Sequence, residues 1–234
     1  MFFPDDCRVC GRPLTKWTRV PVCAECLDVP KPPAAEFACT ACGTPFLNAW
    51  PLDEQSVCAA CRAGLRAFDL AASFGAYEGG LRSLIHLLKY SGMKPLARPL
   101  GGFMNRALPA KECFDAVVPV PLYWRRQWSR GFNQAELLAR QVAKRRGIPV
   151  LSALRRKRAT DTQASLATAG RRRNVAGAFV ARANVELTGK RILLIDDVMT
   201  TGATASACAT ALKRGGAKSI SLLTVARVDR RSRF

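Results

Sequence analysis

The sequence predicts an α/β protein with a parallel sheet, preceded by a small metal-stapled domain. Three observations predict it. Four Cys-x-x-Cys pairs crowd the first 61 residues. Beyond residue 66, short apolar runs alternate with stretches of helical spacing, the pattern of a sheet built from strand–helix–strand units. One stretch, Arg191 to Arg214, reads as a strand, an acidic pair, a Thr/Gly turn and a helix.

Length and charge bound the reading. A chain of 234 residues holds one ordinary domain and a small one. The expected division is 1–66 and 67–234. The net charge is +20, and it is unevenly spread. Residues 1–66 carry seven Lys/Arg and seven Asp/Glu, whereas 67–234 carry thirty and ten. A basic field of that size attracts polyanions, either nucleic acid or phosphorylated small molecules. The opening Met1-Phe2-Phe3-Pro4-Asp5-Asp6 has neither the basic start nor the apolar core of a secretion signal. No run approaches the roughly 20 apolar residues of a membrane span. The expected location is cytoplasmic, where thiols stay reduced.

The cysteine pairs are Cys7/Cys10, Cys23/Cys26, Cys39/Cys42 and Cys58/Cys61, separated by 12, 12 and 15 residues. Two such knuckles complete a tetrahedral thiolate site for Zn2+. Gly11 and Gly43 follow the first and third pairs, where the knuckle turn favours a positive φ. CRVCGRPL and CTACGTPF resemble each other, as one ribbon copied would. The simplest arrangement is sequential: Cys7, Cys10, Cys23 and Cys26 on one zinc, and Cys39, Cys42, Cys58 and Cys61 on the other. A cross-braced pairing is the alternative. Disulfides and redox chemistry are competing uses of the same pairs. Residues 1–66 hold too little apolar material to fold unaided, and two filled sites would supply the missing energy. Both sites are therefore read as structural. Lys31-Pro32-Pro33 reads as the linker between ribbons, and Cys113 and Cys208 as core cysteines.

The larger region follows. Leu70 to Tyr77 opens it as a strand. Gly80 to Tyr90 has Leu81, Leu84, Ile85 and Leu88 at helical spacing. His86, the single histidine, falls beside that apolar face and reads as structural. Lys89 and Tyr90 end the helix, where they can face a ligand. Asp115 to Val120 is a second strand. After it, arginines and large aromatics alternate from Tyr123 to Phe132, the composition of a stacking and phosphate-binding surface. A helix from Asn133 to Arg146 should bury Leu137, Leu138 and Val142. Ile148 to Leu154 reads as a short strand. Residues 155–174 are polar and basic, with a short helix opening at Arg171, and read as a lid. From Arg125 to Arg173 there are 14 Lys/Arg against 2 acids. Ser219 to Val225 supplies a last strand before a basic tail.

Arg191 to Arg214 carries the chemistry. Ile192-Leu193-Leu194-Ile195 makes a buried strand, Asp196 and Asp197 follow, then Thr200-Thr201-Gly202-Ala203-Thr204, then a helix ended by Gly215-Gly216. Free amides at a helix start, helped by the dipole, bind an anion. Gly202 lets the backbone come close, and the Thr hydroxyls add donors. The two carboxylates, at the carboxyl end of a strand, repel phosphate but accept hydrogen bonds from sugar hydroxyls. The pattern suggests a ribose 5-phosphate held at both ends.

These residues resemble the phosphoribosyl-pyrophosphate (PRPP) loop of type I phosphoribosyltransferases. The Gly-Lys-Thr/Ser ending of a Walker loop is missing. The resemblance implies the type I phosphoribosyltransferase fold for 67–234. It implies that Asp196 and Asp197 hold the ribose hydroxyls and offset positive charge at C1 if there is turnover. It places Thr200, Thr201, Gly202, Ala203 and Thr204 on the 5-phosphate, with Mg2+ accompanying PRPP. Val120-Pro121-Leu122, Arg125, Arg126 and Lys89 are then expected on the pyrophosphate. The chain also resembles the ComF family, through the proline-rich strand end followed by Arg130-Gly131-Phe132-Asn133-Gln134. Arg158, Thr160 and Gln163, followed by Arg171 to Asn174, match the same family pattern. This resemblance implies a role in using imported DNA, including natural transformation. Two expectations result. One is a phosphoribosyltransferase with an unidentified acceptor. The other is a non-catalytic, PRPP-responsive module that binds single-stranded DNA and works with the uptake machinery.

Overall fold

Residues 6–14, 19–29, 35–109, 112–123, 128, 130–157 and 177–228 are described in the computed structural model. The Lys31-Pro32-Pro33 linker, Arg125, Arg126, Arg158, most of the expected lid and the basic tail lie outside them.

The N-terminal region has little regular structure. It contains a four-residue helix α1 (Ala24–Leu27), a two-stranded antiparallel ribbon of β1 (Phe37–Ala38) and β2 (Pro45–Phe46), and α2 (Ala59–Arg62). The rest alternates: β3 (Leu70–Ala76), α3 (Gly79–Tyr90), α4 (Ala97–Ala107), β4 (Ala116–Pro119), α5 (Gln134–Arg146), β5 (Leu154–Arg156), β6 (Phe179–Ala181), β7 (Arg191–Met199), α6 (Ala203–Arg214) and β8 (Ser219–Arg227).

Four strands form a parallel sheet in the order β3-β8-β7-β4. β7 and β8 sit in its centre and are covered on both faces, so they read as continuous apolar runs rather than alternating ones. The faces divide the core cleanly. Ile192, Leu194, Ile220 and Leu222 face α6 and the β5–β6 hairpin. Leu193, Ile195, Leu223 and Val225 face α3, α4 and α5. The ribbons divide too. Cys39, Cys42 and Cys58 join the α6-side core, whereas Cys7 and Val22 join the opposite one.

The structure departs from expectation at several places, each for a physical reason. Strand β7 runs on to Met199, because its pairing with β8 continues through Asp196↔Thr224 to Met199↔Arg227. The run Ile148 to Leu154 is not a strand. Val150 makes a single parallel bridge to Val117, and β5 begins only at Leu154, paired with β6 elsewhere. Helix α4 carries a weak sequence signal because it contains Pro99, Gly101 and Gly102. Gly101 is needed for packing, since a Cβ there would lie 2.5 Å from Cβ of Gln141 on α5. Leu137 is only half-buried, and the buried face of α5 is Ala135, Leu138, Ala139, Val142 and Ala143. Cys208 is buried as expected. Cys113 is exposed, in the connection that leads into β4. His86 is exposed beside the apolar face, with Nε2 2.8 Å from the Tyr77 hydroxyl.

Candidate functional site: a glycine-turn cleft and two thiol tetrads

The candidate site lies at the carboxyl ends of β7 and β8. Extension of β7 through the acidic pair has a direct consequence: successive side chains point to opposite faces. Asp196 faces α6, and Asp197 faces α3. Asp197 is buried, and Lys89 Nζ in the last turn of α3 lies 2.6 Å from its Oδ2. Asp197 Oδ1 accepts from Val198 N–H at 2.7 Å. Asp196 accepts from the Asp197 amide at 2.9 Å, and its charge acts with burial to push the thiol of the buried Cys208 up. Asp196 is half-buried as a residue, with its carboxyl closely surrounded by protein. Burial pushes that carboxyl up to about 6, and the positive charges of Lys89 and Arg156 pull the other way. The two acids therefore have different hydrogen-bond partners and point to opposite faces of the sheet rather than side by side.

The turn that follows needs glycine. Gly202 has φ +78 and occupies the N-cap of α6. A glycine cap has no side chain to satisfy the first-turn donors. Thr201 Oγ1 accepts from Ala203 N–H at 3.3 Å, and Gly202 O accepts from Ser206 N–H at 2.8 Å. Among the described residues no acceptor meets the amides of Thr204 and Ala205. Asp196, Thr200, Gly202, Ala203 and Thr204 line one cleft of about 40 Å3, backed by Thr224. That space takes a few small polar groups, since about 10–15 Å3 of such volume holds one water. A larger ligand has to lie across its mouth.

The other expected residues lie around it. Val120 N–H donates to Ile195 O at 2.9 Å, and Val120 O accepts from Asn133 Nδ2 at 3.0 Å. Asn133 also caps α5 by accepting from Ala135 N–H. Arg130 donates to Gln134 Oε1 at 2.7 Å and stacks over the Tyr90 ring. Asn133 thus fixes the chain that leaves β4, while Arg130 joins the motif to Tyr90 at the end of α3. Pro121 lines a separate groove of about 440 Å3, together with Glu136, Arg140 and Arg182. Lys89 faces Asp197 rather than open solvent.

Sequence reasoning passed over Arg156. It lies on β5, packs over the rings of Phe179 and Tyr123, and acts electrostatically on Asp196. Its signal was its place in the run Arg155 to Arg158, where resemblance favoured Arg158 instead.

The eight ribbon thiols gather in two sequential sets, Cys7, Cys10, Cys23 and Cys26, and Cys39, Cys42, Cys58 and Cys61, each with its ligand atoms within 4.8 Å of one another. Sulfur–sulfur separations of 3.8 Å occur in both sets. Zinc–sulfur bonds of about 2.3 Å in a tetrahedron imply edges of about 3.8 Å. No disulfide is formed by any of the ten cysteines. The amides of Cys23 and Cys58 donate to Cys7 Sγ and Cys39 Sγ at 3.3 Å. Gly11 and Gly43 adopt positive φ in the knuckles. The residues fit Zn2+ at both sites, so purified protein is expected to carry two zinc ions per chain. Elemental analysis giving none from a reducing preparation would overturn this.

Fold and site together define a phosphoribosyltransferase-type α/β domain carrying two structural zinc ribbons. Residues 129–233 match the family described as phosphoribosyl transferase domain, and residues 1–66 match the double zinc ribbon domain. The chain is 30% identical to the DNA utilization protein YhgH of Escherichia coli K12, over 96% of this chain and 97% of that one. It is 34% identical to competence protein F of Haemophilus influenzae, over 73% and 78% of the two chains. It is 28% identical to competence protein ComFC of Streptococcus pneumoniae, over 64% and 65%. The chain belongs to the ComF family of competence and DNA utilization proteins. Among the described residues no helix is long and apolar enough to cross a membrane.

Proposed function

We propose that this protein binds PRPP, with Mg2+ arriving as part of the ligand, and that it serves the utilization of imported DNA. The observation that carries the reading is a glycine-capped helix start and a buried-side carboxylate sharing one cleft. The 5-phosphate takes the Thr204 and Ala205 amides and the hydroxyls of Thr200, Thr201 and Thr204. Gly202 and Ala203 let it approach the backbone. Asp196 accepts from a ribose hydroxyl. Asp197 holds Lys89, whose charge keeps the pyrophosphate side cationic, and Val120, Pro121 and Leu122 border that side. Arg125, Arg126 and Arg158 belong to the same proposal as pyrophosphate cations. The DNA role comes from relatives named for competence and DNA utilization.

Calorimetry with PRPP and Mg2+ tests the reading, and pH gives it a signature. The folded protein holds the Asp196 proton more tightly than the unfolded chain, whose carboxyl ionises near its ordinary 3.8. Ionising it therefore lowers stability as pH rises through that window to about 6. Ligand binding has the opposite slope, because the carboxylate is the better acceptor. Affinity is expected to rise about tenfold from pH 5 to pH 7. In Asp196→Asn only the ligand's own phosphate ionisation should remain. Identical profiles in the two proteins would remove Asp196 from the site.

A second reading is favoured by two exposed aromatics. Trp128 is 85% exposed and Tyr90 70%, and Arg130 lies 5.2 Å from the Tyr90 ring centroid. Exposed aromatics, Tyr90 with a cation over its ring, suit stacking on single-stranded DNA. In that reading PRPP is an effector and no pyrophosphate is released. A salt-sensitive DNA affinity without pyrophosphate release across a panel of bases selects it. Pyrophosphate release that vanishes in Asp196→Asn selects catalysis.

A further inference from the structure

Two strands of contact join the second cysteine tetrad to the phosphate loop. The first leaves the ribbon directly after Cys61. Residues Leu65 to Phe68 run along the start of α6, where Ala67 N–H donates to Ser206 Oγ at 2.9 Å and the Ser206 hydroxyl reaches Leu65 O at 3.4 Å. Phe68, 5% exposed, sets its ring under Gly202: a Cβ on Gly202 would lie 3.6 Å from that ring and 3.7 Å from Met199 Sδ. Arg66, in the same segment, donates to Thr44 Oγ1 at 3.2 Å and approaches Cys61 Sγ at 3.7 Å.

The second contact comes through the sheet. Arg227 ends β8, in register with Met199, and Val228 N–H donates to Met199 O at 2.9 Å. The Arg227 guanidinium donates to Cys42 O at 2.9 Å and to Thr44 Oγ1 at 2.8 Å, inside the third knuckle. Thr44 Oγ1 in turn lies 3.0 Å from Cys42 Sγ. The knuckle is pressed onto the sheet at this point. A Cβ on Gly43 would sit 3.0 Å from both Ala71 O and Arg227 Nη1, and Ala71 N–H donates to Ala41 O at 2.9 Å. The cysteines Cys39, Cys42 and Cys58 lie in one apolar cluster with Phe68, Met199 and Ala205. The first tetrad belongs to the other face, with Phe74 and Leu81.

We propose that the second zinc ribbon is a structural part of the phosphate loop, with Phe68 and Arg227 as positioning residues. Closure of the tetrad of Cys39, Cys42, Cys58 and Cys61 and binding of a phosphate ester at Thr200 to Thr204 then favour each other, and the first tetrad stands apart. The reason is mechanical. The knuckle carbonyl of Cys42 and the Cys61–Phe68 segment keep their positions only while the four thiolates are held together. Coupling of this kind is reciprocal: whatever factor the closed tetrad adds to ester affinity, the ester adds to metal retention.

The inference rests on the PRPP reading for its ligand, but its physical core can be tested without one. Amide exchange at residues 200–206 is measured in ligand-free protein by mass spectrometry. The forms compared are wild type, Cys58→Ser/Cys61→Ser, Cys7→Ser/Cys10→Ser and Phe68→Leu, the last retaining all eight thiols. Exchange is expected to be at least about tenfold faster in the second-tetrad variant and several-fold faster in Phe68→Leu. In the first-tetrad variant it should be unchanged. PRPP affinity should fall in the same order, and PRPP should slow the release of one of two zinc ions to a chelating dye. Unchanged exchange in Phe68→Leu, or equal acceleration by the two tetrad variants, overturns the coupling. If exchange responds as expected while no form binds PRPP, the coupling stands and the PRPP reading alone fails.

Discussion

Gly202→Val is expected to abolish PRPP binding in a protein that still folds. Gly202 has φ +78, a region that a β-branched residue reaches only with strain. That strain costs about 1–3 kcal/mol, against a total stability of roughly 5–15 kcal/mol for an ordinary domain. The surroundings add to it. A Cβ alone makes ordinary contact with the Phe68 ring at 3.6 Å, but the two methyls of valine must go further into Phe68 and Met199 Sδ. The turn relieves this by rotating, and rotation carries the Thr204 and Ala205 amides off the phosphate. Two hydrogen bonds to a charged group, each worth about 1.5–3 kcal/mol, amount to at least about a hundredfold in affinity. Gly202→Ala keeps the strain without the methyls and should lose less. Calorimetry with PRPP and a thermal melt check both halves. Wild-type affinity in Gly202→Val would remove the loop from the binding site.

Lys89→Met is expected to produce the largest loss of stability among single changes at the site. Lys89 and Asp197 form an ion pair at 2.6 Å with side chains only 15% and 6% exposed. Removing the lysine leaves a carboxylate among apolar neighbours on the α3 side of the sheet, a change that costs about 3–5 kcal/mol. For a chain of this length that corresponds to a fall in Tm of roughly 6–20 °C. The pair as a whole is a different matter. Replacing both members, as Lys89→Met/Asp197→Leu, removes the orphaned charge and should recover most of the loss. Denaturant midpoints at constant slope measure the difference. A single variant within about 1 kcal/mol of wild type would mean that Asp197 reaches water or another cation when Lys89 is gone. The double variant separates stability from binding. It should fold well and still bind PRPP poorly, because the cation beside the proposed pyrophosphate side is missing.

These two residues also show how far the sequence could be read. Gly202 was legible, because strand, acids, Thr/Gly turn and helix are local and a positive-φ glycine is demanded where the chain turns into α6. Lys89 was legible only as a cation at a helix end. That it meets Asp197 depends on α3 packing on one face of β7, across more than a hundred residues of chain. Asp196 and Asp197 looked like a pair because they are adjacent in sequence. Pairing of β7 with β8 extends the strand through them and sends them to opposite faces. Arg156 was hidden for the same reason: only the antiparallel pairing of β5 and β6 brings it over Phe179 and toward Asp196. The motif Arg130 to Gln134 was visible as a pattern, and the structure puts its Asn133 on Val120 and its Arg130 on Tyr90.

By itself the sequence determined the parallel α/β class, the four Cys-x-x-Cys pairs and the order of strand, acids, Thr/Gly turn and helix in Arg191 to Arg214. Each of these is written in short-range spacing: two residues between cysteines, an apolar run before acids, a glycine before a helix. Tertiary structure alone decided which face each acid takes, which cation it meets, how the cysteine pairs combine into two tetrads, and that one ribbon lies against the turn at Gly202 while the other lies across the sheet. Those are contacts between residues far apart in the chain, and they are settled by which apolar surfaces bury one another, a quantity no local spacing encodes.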